Sequence, residues 1–410
     1  MRDHDAHVLI LGGSFTGVEL VRTLREHRRG RALEIIVVDR QAEHPYIPLG
    51  HELLTERMAT GVAAKTVLPT ARYVGGRPKT RWERGEIVGF EPEAHAVTLA
   101  DGRRFSGRFV VVALGSEVGA PAAIEGAEAL QSYKFAADFE RAKLAVSEAL
   151  TGAEQAPTAL VVGGGITGVE IAGELAHLAR ASTRPGPWRA PKVVLVHGGE
   201  RLLPGLHPRA GAWAARALEK QGVELHMRTR LQEIVARGEG EGGAKLARLR
   251  DAAGEVRELA FELGFWAGGL QPPPVLARMG LPLTEDGWLR VGPSLQCYPG
   301  VDEPEIFAGG DVARIYGGEG RWPTMQRAIE GIFAAHTIAD NLLRLAGCDP
   351  GYAAGVPPLH PHRLWSDFPH GVSAGGESLV VHGGLSLPLS RINTWFRRFL
   401  MHMYMRRYSP

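Results

Sequence analysis

Gly163, Gly165 and Gly168 fill the three fixed positions of a G-x-G-x-x-G pattern inside LVVGGGITGVEIAGELA, residues 160–176. The apolar run at residues 159–162 predicts a buried parallel strand, and the amphipathic segment after the glycines predicts a helix. This arrangement holds a dinucleotide pyrophosphate. The first glycine permits the sharp turn, the second lets phosphate oxygens approach bare backbone, and the third lets helix pack on strand, so the phosphates meet the helix N-terminus. The same pattern in an ordinary β-α turn has no ligand, so the surrounding elements carry weight. The strand that follows, residues 192–196, ends at His197 instead of the acid that binds a ribose 2′-hydroxyl and repels a 2′-phosphate. His197, with Arg201 nearby, therefore argues against a strict requirement for NADH; a solvent-facing histidine with no role is the alternative.

A second copy opens the chain. Residues 7–11 predict a strand, and Gly12-Gly13-Ser14-Phe15-Thr16-Gly17 leads into a helix ending near Arg28. Ser14 replaces the middle glycine, which crowds the close approach without blocking it. Asp39 ends the next strand, residues 33–38, about 20 residues after the turn, where an acid holds ribose hydroxyls. Arg40 beside it can lie along an adenine. Further strands are predicted at residues 87–90, 96–99 and 104–114, with Asp101-Gly102 as a hairpin turn. PYIPLGHELL, residues 45–54, reads as a loop and helix start, and residues 135–150 as an amphipathic helix. EIFAGGDV, residues 305–312, places Asp311 after a short strand, at the N-terminus of a following helix, where its carboxylate can accept hydrogen bonds from a flavin's ribityl chain.

The elements that position these sites need more than one core. The 410 residues predict two or three domains, and 44% hydrophobic with 22% charged residues indicates a globular chain. A net charge of +2 gives no case for nucleic acid. Two cysteines, Cys297 and Cys348, exclude a disulfide framework, a four-thiolate metal site and a C-x-x-C pair, so no metal centre is expected. The acidic N-terminus reads as a first strand and not a signal peptide, and no run reaches the roughly 18 apolar residues of a spanning helix. After Glu377 there is no acid, and five arginines fall between Arg391 and Arg407. Ile392, Trp395, Phe396, Phe399, Leu400, Met403 and Tyr404 share one helical face, with Arg391, Arg398, His402 and Arg406 largely opposite. Such a helix lies flat in an anionic membrane surface. Docking on the chain's own core or on a second subunit is the competing expectation.

Two nested fingerprints followed by a Gly-Asp motif resemble the two-dinucleotide-binding-domain flavoprotein reductases of the pyridine nucleotide-disulfide type. The finer resemblance, over nearly the whole chain, is to the type II NADH:quinone oxidoreductases, through GGGITGVEIAGEL (163–175), PYIPLGHELL, VVALGS (111–116), FWAGGLQPPP (265–274), IFAGGDVA (306–313) and PTMQRAIEGIFAAHTIADNL (323–342). The resemblance implies an α/β fold of two nested Rossmann-like three-layer domains plus a C-terminal membrane-associating amphipathic helix. Residues 1–125 and 291–360 would hold FAD, 126–290 would hold NAD(P)H, and 361–410 would form the membrane and quinone region. Gly12, Gly13, Ser14, Phe15, Thr16, Gly17, Asp39, Arg40, Pro48, Ile87, Ala113, Gly115, Gly310 and Asp311 would line the FAD site. Gly163, Gly165, Gly168, Glu170 and His197 would face NAD(P)H, with Gly268 closing over the nicotinamide.

Glu170, Gln326 and Glu330 would orient substrates or relay quinone protons, Glu330 standing where many members carry glutamine. The implied activity is non-proton-pumping transfer from NAD(P)H through FAD to a quinone in a respiratory chain. It would take place on the cytoplasmic side of the inner membrane, by peripheral attachment, with a homodimer as one arrangement. Sulfide:quinone oxidoreductase, which needs redox cysteines beside the flavin, is an alternative. So are a soluble reductase of a small redox protein and a flavoprotein whose turnover is incidental to signalling. Removing residues 391–410 is expected to abolish liposome binding and spare ferricyanide reduction.

Overall fold

The computed structural model describes residues 4–55, 66–120, 123–151, 155–181, 190–236, 245–297, 305–317, 320–321, 324, 326–346, 358–363, 369–388 and 390–408. Cys348, the Gly/Glu turn at 238–243 and most of the Pro/Arg loop at 181–191 lie outside them.

Valine- and isoleucine-rich runs with no polar alternation form strands covered on both faces. β1 (Ala6–Leu11), β2 (Ile35–Asp39), β3 (Thr80–Arg84) and β6 (Arg104–Val112) run parallel in the order β3-β2-β1-β6. An antiparallel meander, β4 (Ile87–Glu91) and β5 (Ala96–Leu99), extends β6, turning at Asp101-Gly102. Helix α1 (Phe15–Glu26) crosses from β1 to β2 and buries Phe15, Val18, Leu20, Val21 and Leu24 against the sheet. The predicted edges at Leu33, Arg28 and Leu114 were off by two residues each, within the usual fraying of element ends.

Helix α2 (His51–Leu54) and helix α3 (Ala136–Thr151) precede the second unit. There β7 (Thr158–Val162), β8 (Lys192–His197) and β9 (Glu224–Met227) are joined by β13 (Leu263–Trp266) in the parallel order β9-β8-β7-β13. Helices α4 (Ile166–Ala181) and α5 (Pro208–Lys220) accompany this sheet. An antiparallel sheet, β10 (Arg230–Ala236), β11 (Lys245–Arg250) and β12 (Val256–Phe261), inserts before β13.

Leu276, Met279 and Leu281 already pack in the first core, so the chain re-enters that core before residue 291. β14 (Ile306–Ala308) then adds to β6 in parallel; Asp311 is followed by a strand, Ala313–Gly317, and not by the expected helix, and α6 (Ala328–Ala346) packs with α1. Finally β15 (His370–Ala374), β16 (Glu377–His382) and β17 (Leu385–Pro388) form a meander whose Val372, Ala374, Leu379 and Val381 join the second core. Helix α7 (Ser390–Arg407) ends the described chain.

Candidate functional site: two glycine loops under one terminal helix

The two glycine turns repeat each other. Gly12 and Gly163 adopt φ of +107° and +121°, a region costly for residues with a Cβ. A Cβ at Gly17 would lie 2.0 Å from the Gly12 carbonyl oxygen, and one at Gly168 would lie 1.8 Å from that of Gly163. Helix thus rests on strand with no room for a methyl group. The middle positions differ. Gly165 has open space where a Cβ would stand, a cradle suited to phosphate oxygens, whereas the Ser14 hydroxyl is hydrogen-bonded with His44 Nδ1 at 3.0 Å.

The residues ending β2 and β8 occupy matching places. Asp39 Oδ2 accepts the Gly13 N–H at 2.6 Å, and His197 Nδ1 accepts the Gly164 N–H at 3.1 Å. Burial raises the Asp39 carboxyl above its ordinary range, opposed by the backbone bonds from Gln41 and Gly13. Burial lowers His197, keeping the ring neutral. Arg201 is committed to the carbonyls of Leu203, Leu206 and Pro204.

The first loop gathers most of its expected companions. Thr16 Oγ1 lies where a Cβ on Gly310 or Gly331 would intrude, at 2.6 and 2.8 Å, and Gly12 closes on the Ala113 carbonyl. Gly115 opens on empty space. Ser116 donates its hydroxyl to Asp311 Oδ2 at 2.7 Å, while Lys134 reaches the same carboxylate at 3.4 Å and the Ser116 carbonyl at 2.9 Å. Gln326, at a positive φ of 49°, donates its amide to the Asp311 carbonyl at 3.3 Å. Glu330 is buried one turn further, in the first turn of α6.

Ile87 sits two residues beyond Gly85, whose N–H bonds the Asp39 carbonyl. Arg40 pairs with Glu117, its guanidinium 5.4 Å from the Phe135 ring centroid. The Trp82 ring fills the space beside Gly13, and Trp266 fills that beside Gly268. Both indole N–H groups are buried without a partner among the described residues.

Sequence reasoning missed how α7 is held. Part of that helix's positive charge is spent on the protein, while His402 and Arg406 stay exposed: Arg397 pairs with Glu170 at 2.8 Å and donates to the Pro48 carbonyl, and Arg398 pairs with Glu52 at 2.8 Å. Arg407 pairs with Glu19 at 2.9 Å. Tyr404, expected on the outer apolar face, is instead buried and bonds His44 Nε2 at 3.0 Å, completing a Ser14-His44-Tyr404 chain. Burial drives His44 down to about 3, so the ring bridges the two hydroxyls while neutral.

Glu19 is fully buried on α1 and also meets Arg22, His336 and Tyr408. Burial opposes its charge, but those partners hold its carboxyl down to about 2. Glu170 behaves likewise: burial is outweighed by Arg397 and by His51, 3.2 Å away, leaving it at about 2; the Ser373 N–H adds a third contact. Glu170 is therefore an ionised anchor for α7 and β15. The signal for this in the sequence is acids at residues 19 and 170 on otherwise apolar helix faces, since buried charge demands partners.

With Arg397, Arg398, Tyr404 and Tyr408 turned inward, Ile392, Trp395, Phe396, Phe399, Leu400 and Met403 stand outward, Trp395 66% exposed. Leu385 and Leu387 of β17 are exposed too. Among the described residues no helix is long and apolar enough to cross a membrane, and no His/Cys/Asp/Glu group has the makings of a metal site.

Asp311→Ala removes the acceptor shared by Ser116 and Lys134 and leaves the lysine's charge uncompensated. Most of the purified protein is expected to lack flavin colour, as read from visible absorbance per polypeptide; full occupancy would remove Asp311 from the site.

The sequence profile of the pyridine nucleotide-disulphide oxidoreductase family matches residues 6–332. The type II NADH:quinone oxidoreductase of Haemophilus influenzae is 28% identical over 352 residues, 77% of this chain and 75% of the relative. A nitric oxide reductase FlRd-NAD(+) reductase of Vibrio vulnificus is 25% identical over 369 residues, 88% and 85% of the two chains. Among solved structures, NDH2 from Plasmodium falciparum in complex with NADH superposes with a TM-score of 0.76 at 12% identity, covering 98% of this chain and 95% of that one. The sulfide:quinone oxidoreductase of Aquifex aeolicus gives 0.76 at 15% identity, covering 98% and 91%. With two matched glycine loops and a family profile spanning both, this chain belongs to the pyridine nucleotide-disulphide oxidoreductase family and is an FAD- and NAD(P)H-dependent oxidoreductase.

Proposed function

We propose that this chain is a peripheral NAD(P)H:quinone oxidoreductase of the type II kind, with α7 as its membrane foot. The observation that carries this reading is the outward apolar face of α7 on a helix that the protein holds by its cations, against both nucleotide units at once. Six large apolar side chains on one turned-out face have no role in the chain's own core and suit insertion among lipid acyl chains. Residues 1–125 and 276–360 are assigned to FAD, the return to the first core falling earlier than the expected 291, with the stretch between to NAD(P)H and 361–410 to the membrane and quinone.

FAD fits the first loop through the tight Gly12 to Gly17 strand-turn-helix, a ribose acceptor in Asp39, and Asp311 with Lys134 beside open space at Gly115. When bound, the flavin supplies hydride acceptance from the nicotinamide and delivery of two electrons to the quinone. The protein's share is alignment. Gly163, Gly165 and Gly168 would seat the nucleotide pyrophosphate, Gly268, with the Trp266 ring packed beside it, would face the nicotinamide, and Asp311 would hold the ribityl hydroxyls. Gln326 and Glu330, a turn apart, are assigned to the quinone oxygens, and Glu330 Oε would be the site for a quinone proton. Glu170, ionised and bound by Arg397, positions α7 and is not the proton donor.

The sulfide reading needs cysteine thiolates beside the flavin. Cys297 is buried and its thiol is pushed up to about 12 by that burial, which makes it inert and leaves that reading only Cys348. A reductase of a redox protein, as the Vibrio relative's name describes, would not need the apolar face of α7.

Trp395→Ser with Phe399→Ser tests the foot. Binding to anionic liposomes is expected to weaken about tenfold or more, because each exposed aromatic contributes on the order of 1–3 kcal/mol when buried. Ferricyanide reduction by NAD(P)H is expected to stay unchanged. Undiminished cosedimentation with liposomes would remove the membrane assignment, and turnover with a small iron-sulfur protein but not with short-chain quinones would favour the other acceptor.

A further inference from the structure

The place where β8 meets the second glycine loop holds more positive charge than a plain ribose requires. Asp39 in the first unit and His197 in the second perform the same local task, each accepting the N–H that follows the first glycine. They differ in what they leave over. The carboxylate offers acceptor oxygens, which suit hydroxyl groups and repel a phosphate. The imidazole, with Nδ1 accepting, carries its proton on Nε2, a buried N–H that lies against the Gly199–Arg201 backbone and leaves no negative charge at this position. A neutral ring at this position does not repel a phosphate, as a carboxylate would.

The surroundings are positively charged. The Arg230 side chain lies across Gly198: its Cγ, Nε and Cδ stand 3.1 to 3.6 Å from where a Cβ on that glycine would be. Arg230 opens β10 and is paired in register with Arg250 of β11. Two like charges directly opposite on one face of an antiparallel pair repel each other unless an anion sits between them. Both are exposed, and no carboxylate partner is found for either among the described residues. Arg228, two residues earlier, is matched by Glu200 at 3.0 Å, and Glu224 is taken by Lys192 and His226, so the nearby acids are accounted for. The net local charge left over is that of Arg230 and Arg250.

We propose that His197, Arg230 and Arg250 form a subsite for the adenosine 2′-phosphate, so that this chain takes NADPH in preference to NADH. The proposal rests on the nucleotide-reductase reading of the second loop and adds to it the identity of the nucleotide. Arg230 and Arg250 supply the charge, and the neutral His197 ring leaves the phosphate unopposed where a carboxylate would repel it.

The test uses the purified flavin-loaded protein with NADPH and NADH as alternative donors and ferricyanide as acceptor. The kcat/KM ratio, NADPH over NADH, is expected to be about tenfold or greater. Adenosine 2′-monophosphate is expected to inhibit at lower concentration than AMP, and to raise the melting temperature where AMP does not. Arg230→Ala should lower the NADPH:NADH ratio at least about tenfold, chiefly through KM, and His197→Asp should invert it. Flavin content and melting temperature of each variant show that the unit is folded. Neither nucleotide bleaching the flavin would overturn the reductase reading beneath the proposal. Bleaching by NADH with NADPH about tenfold poorer, or equal inhibition by the two monophosphates, would overturn the 2′-phosphate subsite alone.

Discussion

Deleting residues 391–410 is expected to yield a protein that melts about 10 °C or more lower and loses flavin on purification. Three carboxylates, Glu19, Glu52 and Glu170, take cations from α7, at Arg407, Arg398 and Arg397. Removing one partner of a buried pair costs about 3–5 kcal/mol, and whole domains are stable by only about 5–15 kcal/mol. Tyr404, Tyr408 and Met401 leave the core with the helix. Readmitted water will recover part of that loss, which is why the expected fall is set well below the sum. The deletion cannot therefore serve as a clean release from membranes with ferricyanide reduction spared, as the sequence alone suggested.

The same contacts have a pH signature. Glu19 and Glu170, held near 2 in the fold against about 4.5 when unfolded, contribute stability that is complete above 4.5 and is lost as pH falls toward 2. Each is worth on the order of 3 kcal/mol at neutral pH. Differential scanning calorimetry of the truncated and full chains at neutral pH decides the matter; equal melting temperatures and equal flavin content would show that α7 is an appendage.

The second large effect comes from two single methyl groups. In Gly17→Ala the new Cβ would stand 2.0 Å from the Gly12 carbonyl oxygen, and in Gly168→Ala 1.8 Å from the Gly163 oxygen. Neither obstacle is the free end of a side chain; each is backbone that cannot move without pulling the helix from its strand. Gly17→Ala is expected to purify without flavin. Gly168→Ala is expected to remain yellow yet to lose reduction by nicotinamide nucleotide about a hundredfold or more, while dithionite still bleaches it. The pair separates the two sites. Flavin loss in Gly168→Ala with retention in Gly17→Ala would exchange the assignments of the two units.

What could be read from sequence, and what could not, follows the range of the interactions. Both glycine turns were legible because strand, turn and helix are contiguous and each glycine answers a local steric demand. The strands β1, β2, β7 and β8 were legible because burial on both faces leaves an unbroken apolar run. Trp82, which packs against Gly13 from a polar-looking edge strand, gave no such pattern, and neither did the short strands of β10 to β12 and β15 to β17. The amphipathic character of α7 was plain, but its orientation was not. Periodicity places Tyr404 with Trp395 and Phe399, whereas the fold turns it inward because His44, 360 residues earlier, offers its hydroxyl a partner. Lys134 escaped notice because its partners, Ser116 and Asp311, come from distant stretches of chain. Glu170 was legible as a residue of the second loop, and its bond to Arg397 was not.

The central claim is that electrons enter from a nicotinamide nucleotide at the second loop, reside on a flavin in the first and leave to a quinone. Anaerobic stopped-flow on the purified yellow protein tests it most directly, following flavin absorbance through mixing with NADPH or NADH, then with a short-chain quinone, and separately with sulfide. The account predicts rapid bleaching by nucleotide, full recovery of colour on adding quinone, and no bleaching by sulfide. Bleaching by sulfide alone, or a nucleotide-reduced flavin that quinone leaves colourless, would contradict it.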